Sequence, residues 1–310
     1  MMAEFLFSLI KRFAPAPVIS WLKGRRRTLR RFQWRHSMSR GDNTMVTQAD
    51  LLEGLRRLGV REGDDLCVHS AMSKLGMVEG GAETVIAALR AAVGENATLL
   101  MPTYPIRISM LEEMRSKDSF DVTNTPSRMG KITEIFRQMP GVERSTHPTH
   151  PVAAQGPRAS DYTKNHHLVG TPCGPGSPLG RLVDYGGDIL CMGCLVGHAT
   201  STHIVEGLVD DFPLEVYLPG TMSKTVRFSD GHSEPVTTRV HDPVLAPIRI
   251  DNYPPKEAEI VAEMLSRGIL RESDIGQGHC YLFKAADFLE MFTALAKQGR
   301  TIYATETENK

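Results

Sequence analysis

Leu66-Cys67-Val68-His69, the helical run from Ala82 to Val93, and Thr98-Leu99-Leu100-Met101 decide the fold of this 310-residue chain. The first stretch reads as a short strand, and the loop Ser70-Ala71-Met72-Ser73-Lys74-Leu75-Gly76 follows it. After Gly80-Gly81 comes a helix with Val85, Ile86 and Leu89 on its inner face, and then a second strand ending at Pro102-Thr103. Strand, loop, helix and strand in that order make a βαβ unit, which implies a parallel pair in a sheet covered by helices. The fold class is therefore α/β.

Outward from that unit, Thr47-Gln48-Ala49-Asp50 has the form of a capping box, with Leu51, Leu52, Leu55 and Leu58 at helical spacing until Gly59. Downstream, residues 105–122 are charged and Met-rich without a clear period, compatible with a lid or a short irregular helix. Met129 to Met139 predicts a helix, Val152 to Ala154 a strand and Asp188 to Cys194 another. Thr200 is placed to cap a helix carrying His203 and Glu206. Val226–Phe228 and Val236–Val240 flank Asp230-Gly231 as a hairpin, and helices are expected from Pro255 to Arg267 and from Ala286 to Gln298. With no repeat and no linker after residue 45, residues 46–310 read as one domain behind a distinct extension, residues 1–45.

With 41% apolar and 23% charged residues, the chain has what a self-sufficient core requires. The 36 basic and 36 acidic residues cancel, but residues 1–45 hold ten Lys/Arg against two acids, leaving 26 against 34 in the remainder. An acidic body does not suit phosphate backbones, so nucleic acid is not an expected partner, whereas an amine would fit. Five cysteines without framework spacing point to a reducing cytoplasm. The apolar run Met2–Ile10 is too short to span a bilayer, and its positive charge lies on the wrong side for an export signal. Trp21, Leu22, Leu29, Phe32 and Trp34 interleaved with arginines could instead lie on an anionic membrane surface at its inner face. The competing readings of this extension are a disordered tail, a start at Met38 or Met45, and an adaptor for membrane or RNA.

The chemistry concentrates in two stretches. A histidine and a glutamate three apart on a helix share one face, so the Glu206 carboxylate can hold the His203 ring as a general base. In Arg144-Ser145-Thr146-His147-Pro148-Thr149-His150-Pro151 the prolines fix where His147 and His150 point. His69 ends a strand as either a core residue or a ligand contact, while His166, His167 and His232 are expected to be solvated. Cys191-Met192-Gly193-Cys194 lies in an apolar strand without a second CxxC, so buried small residues are the better account than a redox or zinc site. A zinc-dependent amidohydrolase built on His147, His150 and His203 is a rival without an HExxH-type motif behind it. The turn after His69-Ser70 lies at a sheet edge able to hold phosphate-bearing cofactors, yet it has neither a Walker nor a dinucleotide spacing.

Seven blocks in consistent order from about Met45 to Gln298 carry a resemblance: His69 to Gly76, Gly80-Gly81, Thr98 to Thr103, Thr125 to Gly130, Arg144 to Pro148, Gly176-Ser177-Pro178 and Thr202 to Glu206. Together they resemble the aminoglycoside 3-N-acetyltransferases, antibiotic N-acetyltransferases unrelated to the GNAT fold, and the Ile275-Gly276-Gln277-Gly278 turn fits as well. The resemblance implies a three-layer α/β/α structure around a mixed, largely parallel sheet. It implies acetyl-CoA as cosubstrate, with no metal, held along Ser70, Ser73, Lys74, Leu75, Gly76, Pro102 and Thr103. It implies direct transfer to an amine with His203 as base and Glu206 orienting it, the acceptor contacting His147, His150 and Tyr104. The stretch from Tyr104 to Asp121 lacks the tryptophans of the antibiotic-modifying members, and the basic extension is foreign to them. Two acceptors therefore stand side by side: an aminoglycoside, or a nucleotide-linked amino sugar of surface-polysaccharide assembly.

Overall fold

In the computed structural model, which describes residues 45–305, Val46 hydrogen-bonds to Met77 and so ties the start of the described chain to the loop before the second helix. The hydroxyl of Thr47 accepts the Asp50 N–H at 3.2 Å and the Asp50 carboxylate accepts the Thr47 N–H at 2.8 Å, so α1 (Gln48–Leu58) starts with the expected capping box. Gly59 ends it in the left-handed conformation, φ 105°. The chain continues through β1 (Leu66–Ser70), α2 (Ala82–Val93) and β2 (Leu99–Pro102). Next are α3 (Met110–Arg115), β3 (Phe120–Asp121), α4 (Lys131–Phe136), β4 (Glu143–Arg144) and β5 (Val152–Gln155). Then follow α5 (Ala159–Thr163), α6 (Pro178–Asp184), β6 (Asp188–Met192), α7 (Ile204–Leu208), β7 (Met222–Arg227) and β8 (Ser233–Thr238). Last come α8 (Pro254–Ser266), β9 (Arg271–Ile275), β10 (Gly278–Lys284) and α9 (Ala285–Ala296).

Seven strands form one sheet in the order β4-β5-β2-β1-β6-β10-β9, and β3-β7-β8 form a smaller one. The side-chain period of two sorts the large sheet into two cores. Leu66, Val68, Leu99, Met101, Leu190 and Met192 join α1, α2 and α4 on one face. Cys67, Leu100, Ile189 and Cys191 join α5, α6, α8 and α9 on the other. Helices thus cover both faces, the three-layer α/β architecture expected. The sheet is mixed: β1 pairs in parallel with β2 and β6, and the four outer pairings are antiparallel. The βαβ signal reports that centre alone, because antiparallel edges need no crossover helix to mark them.

Several expectations shift. The aperiodic stretch 105–122 resolves into α3, capped by the Ser109 hydroxyl, and the two-residue β3. The hairpin around Asp230-Gly231 is longer than its apolar cores, with Met222 paired to Thr238. The turn before the last helix joins two whole strands, β9 and β10, of which Arg271-Glu272-Ser273-Asp274 is too polar to show a strand pattern. Thr200 does not cap a helix: Thr200–His203 is a 3₁₀ turn without a side-chain cap, and α7 begins after it. The basic extension, with its membrane-facing reading, lies outside the described residues, among which no helix is long and apolar enough to cross a membrane.

Candidate active site

β1 and β6 end side by side at the carboxyl edge of the large sheet, and the chain leaving β6 passes through the 3₁₀ turns Val196–His198 and Thr200–His203 before α7. His203 closes the second turn and Glu206 lies in the first turn of α7, so the three-residue spacing brings the two together even though the histidine is not itself in the α-helix. His203 Nδ1 donates to Glu206 Oε1 at 2.7 Å. His241, just beyond β8, donates from Nε2 to Glu206 Oε2 at 2.5 Å, and the Tyr303 hydroxyl donates to Oε1. A carboxylate only accepts, so all three partners must be donors. That settles the tautomer of His203: in the neutral ring Nδ1 carries the proton and Nε2, which has no hydrogen-bond partner among the described residues, keeps its lone pair.

The electrostatics agree. Burial lowers the His203 pKa below its ordinary value, and Arg249 and His241 add to that against the opposing pull of Glu206, so the ring is neutral at pH 7. Burial alone would raise Glu206, but the His203 and His241 rings and their hydrogen bonds outweigh it and hold the carboxyl well below its usual range.

A cavity of about 500 Å³ opens beside His203, lined also by Tyr104, His150, His241, Asp242, Arg249 and Asp251. Ile106, Ile108, Met110, Met129, Pro243 and Ala246 give it a partly apolar wall. Of its two carboxylates, Asp251 is already held by Arg249 through two bonds, at 2.6 and 2.8 Å. The ring of Tyr104 rests on His150, centroids 4.5 Å apart.

The expected site residues divide accordingly. Tyr104, His150 and His203 share the cavity; His147 does not. Its ring is fully buried, Nδ1 accepting the His150 N–H at 3.0 Å and Nε2 bonded to Thr238 Oγ1 at 3.3 Å, so His147 braces the Pro-flanked loop rather than meeting an acceptor. His166, expected to be solvated, is also fully buried: it stacks on His147, and its two nitrogens bond Ser145 Oγ and the Pro172 carbonyl. Polar sequence neighbours hide such a packed ring.

At the β1 edge, Ser73 and Lys74 are exposed and Ser70 and Gly76 half-buried, whereas Leu75 packs into a core and Pro102 is buried. Thr103 is committed internally, its hydroxyl donating to the Pro151 carbonyl and accepting from Arg144 Nε. These three could meet a cosubstrate only through the backbone. Sequence reasoning missed His241 and Tyr303, which lie 35 and 97 residues from Glu206 and bear no local relation to it.

Nδ1 of His203, Nε2 of His241 and the Glu206 oxygens gather closely enough to suggest a cation site. The pairs face each other at 2.5–2.7 Å, proton between them, and a tetrahedral ion bonded at about 2.0–2.2 Å to each would need them farther apart. The alternative zinc trio fares no better, since both His147 nitrogens are occupied.

Comparison with known proteins follows the same lines. The family model for aminoglycoside 3-N-acetyltransferase matches residues 67–297. Aminoglycoside N(3)-acetyltransferase III of a Salmonella species is 32% identical over 257 residues, spanning 79% of this chain and 89% of that protein. Its namesake from Serratia marcescens is 31% identical over 82% of this chain and 98% of its own length. Among solved structures, AAC-IIIb in binary complex with CoASH superposes with a TM-score of 0.70 at 27% identity, covering 84% of this chain and all of that one. AAC-VIa bound to sisomicin gives 0.71 at 27% identity, with the same coverage.

Proposed function

We propose that this chain, which belongs to the aminoglycoside 3-N-acetyltransferase family and is an acyltransferase, acetylates an amino group of an amino sugar by direct transfer from acetyl-CoA. The observation that carries the mechanism is the His203 ring, neutral, proton on Nδ1 facing Glu206, and Nε2 unpaired beside the cavity. An amine is protonated at neutral pH and attacks only from its neutral form, its first proton leaving to solvent, so that the second proton is the one a base must remove. His203 Nε2 takes that proton as the nitrogen bonds to the thioester carbonyl carbon. The developing imidazolium is stabilised by Glu206, which His241 and Tyr303 hold in place. When the C–S bond breaks, the imidazolium returns a proton to the leaving thiolate. No acyl-enzyme is required, and the cysteines take no part.

Related structures bind CoASH in one case and sisomicin in another, which supports a coenzyme A thioester and an amino-sugar acceptor here. The exposed turn at Ser73-Lys74 and the half-buried Ser70 and Gly76 are the groups available to the cosubstrate at the β1 edge; His150 and Tyr104 face the acceptor. One observation favours a second acceptor class, a nucleotide-linked amino sugar. Asp251 and Arg249 neutralise each other and Asp242 already accepts the Val244 N–H at 2.9 Å, which leaves the cavity poor in free carboxylates for a polycation. We read residues 46–310 as the acetyltransferase domain and the basic residues 1–45 as a contact for anionic lipid.

The test supplies purified protein with acetyl-CoA and either gentamicin- and sisomicin-type amines or UDP-, GDP- and dTDP-linked amino sugars, following thiol release and product mass. Turnover with one class identifies the acceptor. Absence of turnover with every amine defeats the transferase reading.

A further inference from the structure

We propose that His69 is a positioning residue for the transfer reaction, setting the place of the base through Ser201. This rests on the reading of His203 as that base. His69 sits near the end of the central strand β1, in register with Cys191 of β6. Its Nε2 lies 2.7 Å from the hydroxyl of Ser201, two residues before His203 and wholly buried. Cys67 lies against the same pair, 3.8 Å from the Ser201 hydroxyl and 4.0 Å from the His69 ring.

Glu206 holds the carboxyl end of the turn through His203, and the contact with β1 ties its middle to the large sheet. Thr200–His203 is four residues of 3₁₀ helix with no side-chain cap; the Thr202 hydroxyl bonds back to the carbonyl of Ala199 just before it, and no long apolar side chain lies between Val196 and Ile204 to wedge it in place. Among the described residues, the imidazole–hydroxyl bond and the longer thiol contact are the side-chain polar links from this turn to the large sheet. Burial holds His69 neutral, its pKa down to about 3, so it offers one N–H and one lone pair, and the hydroxyl can answer either tautomer. It is not a nucleophile–base pair, because Ser201 is closed to any substrate.

The experiment compares Ser201→Ala, His69→Leu and His69→Gln, each checked for cooperative unfolding. In Ser201→Ala and His69→Leu, kcat with the best acceptor should fall about ten- to a hundredfold, the range for a misplaced catalytic group, with KM for acetyl-CoA little changed. His69→Gln, whose amide reaches the Nε2 position, should recover most of the loss. The acid limb of kcat/KM should move to higher pH in His69→Leu, since a loosened turn lets water reach His203 and relaxes its lowered pKa. Wild-type kcat in both loss variants, or equal losses in Leu and Gln with an unmoved acid limb, would overturn the proposal. If His69→Leu does not fold, Ser201→Ala carries the test. The NMR signal of the His203 Nδ1 proton, read without substrate, supplies an activity-free readout: it should shift or broaden in Ser201→Ala, and an unchanged signal counts against the anchor. If no amine is turned over by the wild type, the functional reading falls while this signal still decides the positioning claim.

Discussion

At the scale of single residues, the site is a carboxylate with three donors. His203→Ala should lower kcat by about two to four orders of magnitude while leaving CoA binding intact, as expected for loss of a general base; turnover and calorimetry check it. Because His203 is depressed by burial, the enzyme should stay active below the ordinary histidine range, and kcat/KM should fall only as the ring protonates at lower pH. Glu206→Gln removes the group that favours the imidazolium, so the acid limb should move still lower and kcat should drop; a pH–rate profile of the pair decides it. The His203–Glu206 half of this network was legible, because three residues of helical or 3₁₀ chain bring two side chains together wherever the rest of the protein goes. His241 and Tyr303 were not: their meeting with Glu206 is made by the second sheet and the carboxyl-terminal segment, and no short-range pattern records it. Likewise His147 and His150 look equivalent between their prolines, and only packing tells the buried brace from the cavity wall.

Among the elements, β1, α2 and β2 announced themselves because continuous apolar runs and one amphipathic helix leave few alternatives, and the capping box placed α1 to the residue. The short pieces stayed hidden, since β3 and β4 have two residues each and β9 is polar. Close approach imposes its own demands, as at Gly156 after β5, φ 139°, where a Cβ would sit 2.4 Å from the Ala97 carbonyl oxygen and 2.8 Å from Thr98 Cα. Both neighbours are backbone and cannot give way. Gly156→Ala should therefore destabilise the fold by more than about 1 kcal/mol, seen as a lower denaturation midpoint; an unchanged midpoint would mean the β5–β2 contact can relax.

For the molecule as a whole, the described residues from Val46 onward form one compact unit, and the charge asymmetry leaves this part acidic. A chain begun at Met45 is expected to keep its kcat and lose affinity for anionic vesicles; loss of turnover would move residues 1–45 into the enzyme proper. The acceptor could not be read from sequence, because it depends on how side chains from distant segments share one cavity and on which carboxylates are already spoken for. One consequence concerns biosynthesis. The phenol that steadies Glu206 comes from position 303, strand β10 lies between β6 and the edge strand β9, and neither exists until the ribosome has passed those positions. A nascent chain not yet extended past Tyr303, or a product cut short before it, would carry His203 and Glu206 without their full support and should sit idle, so acetylation waits for that residue to leave the ribosome.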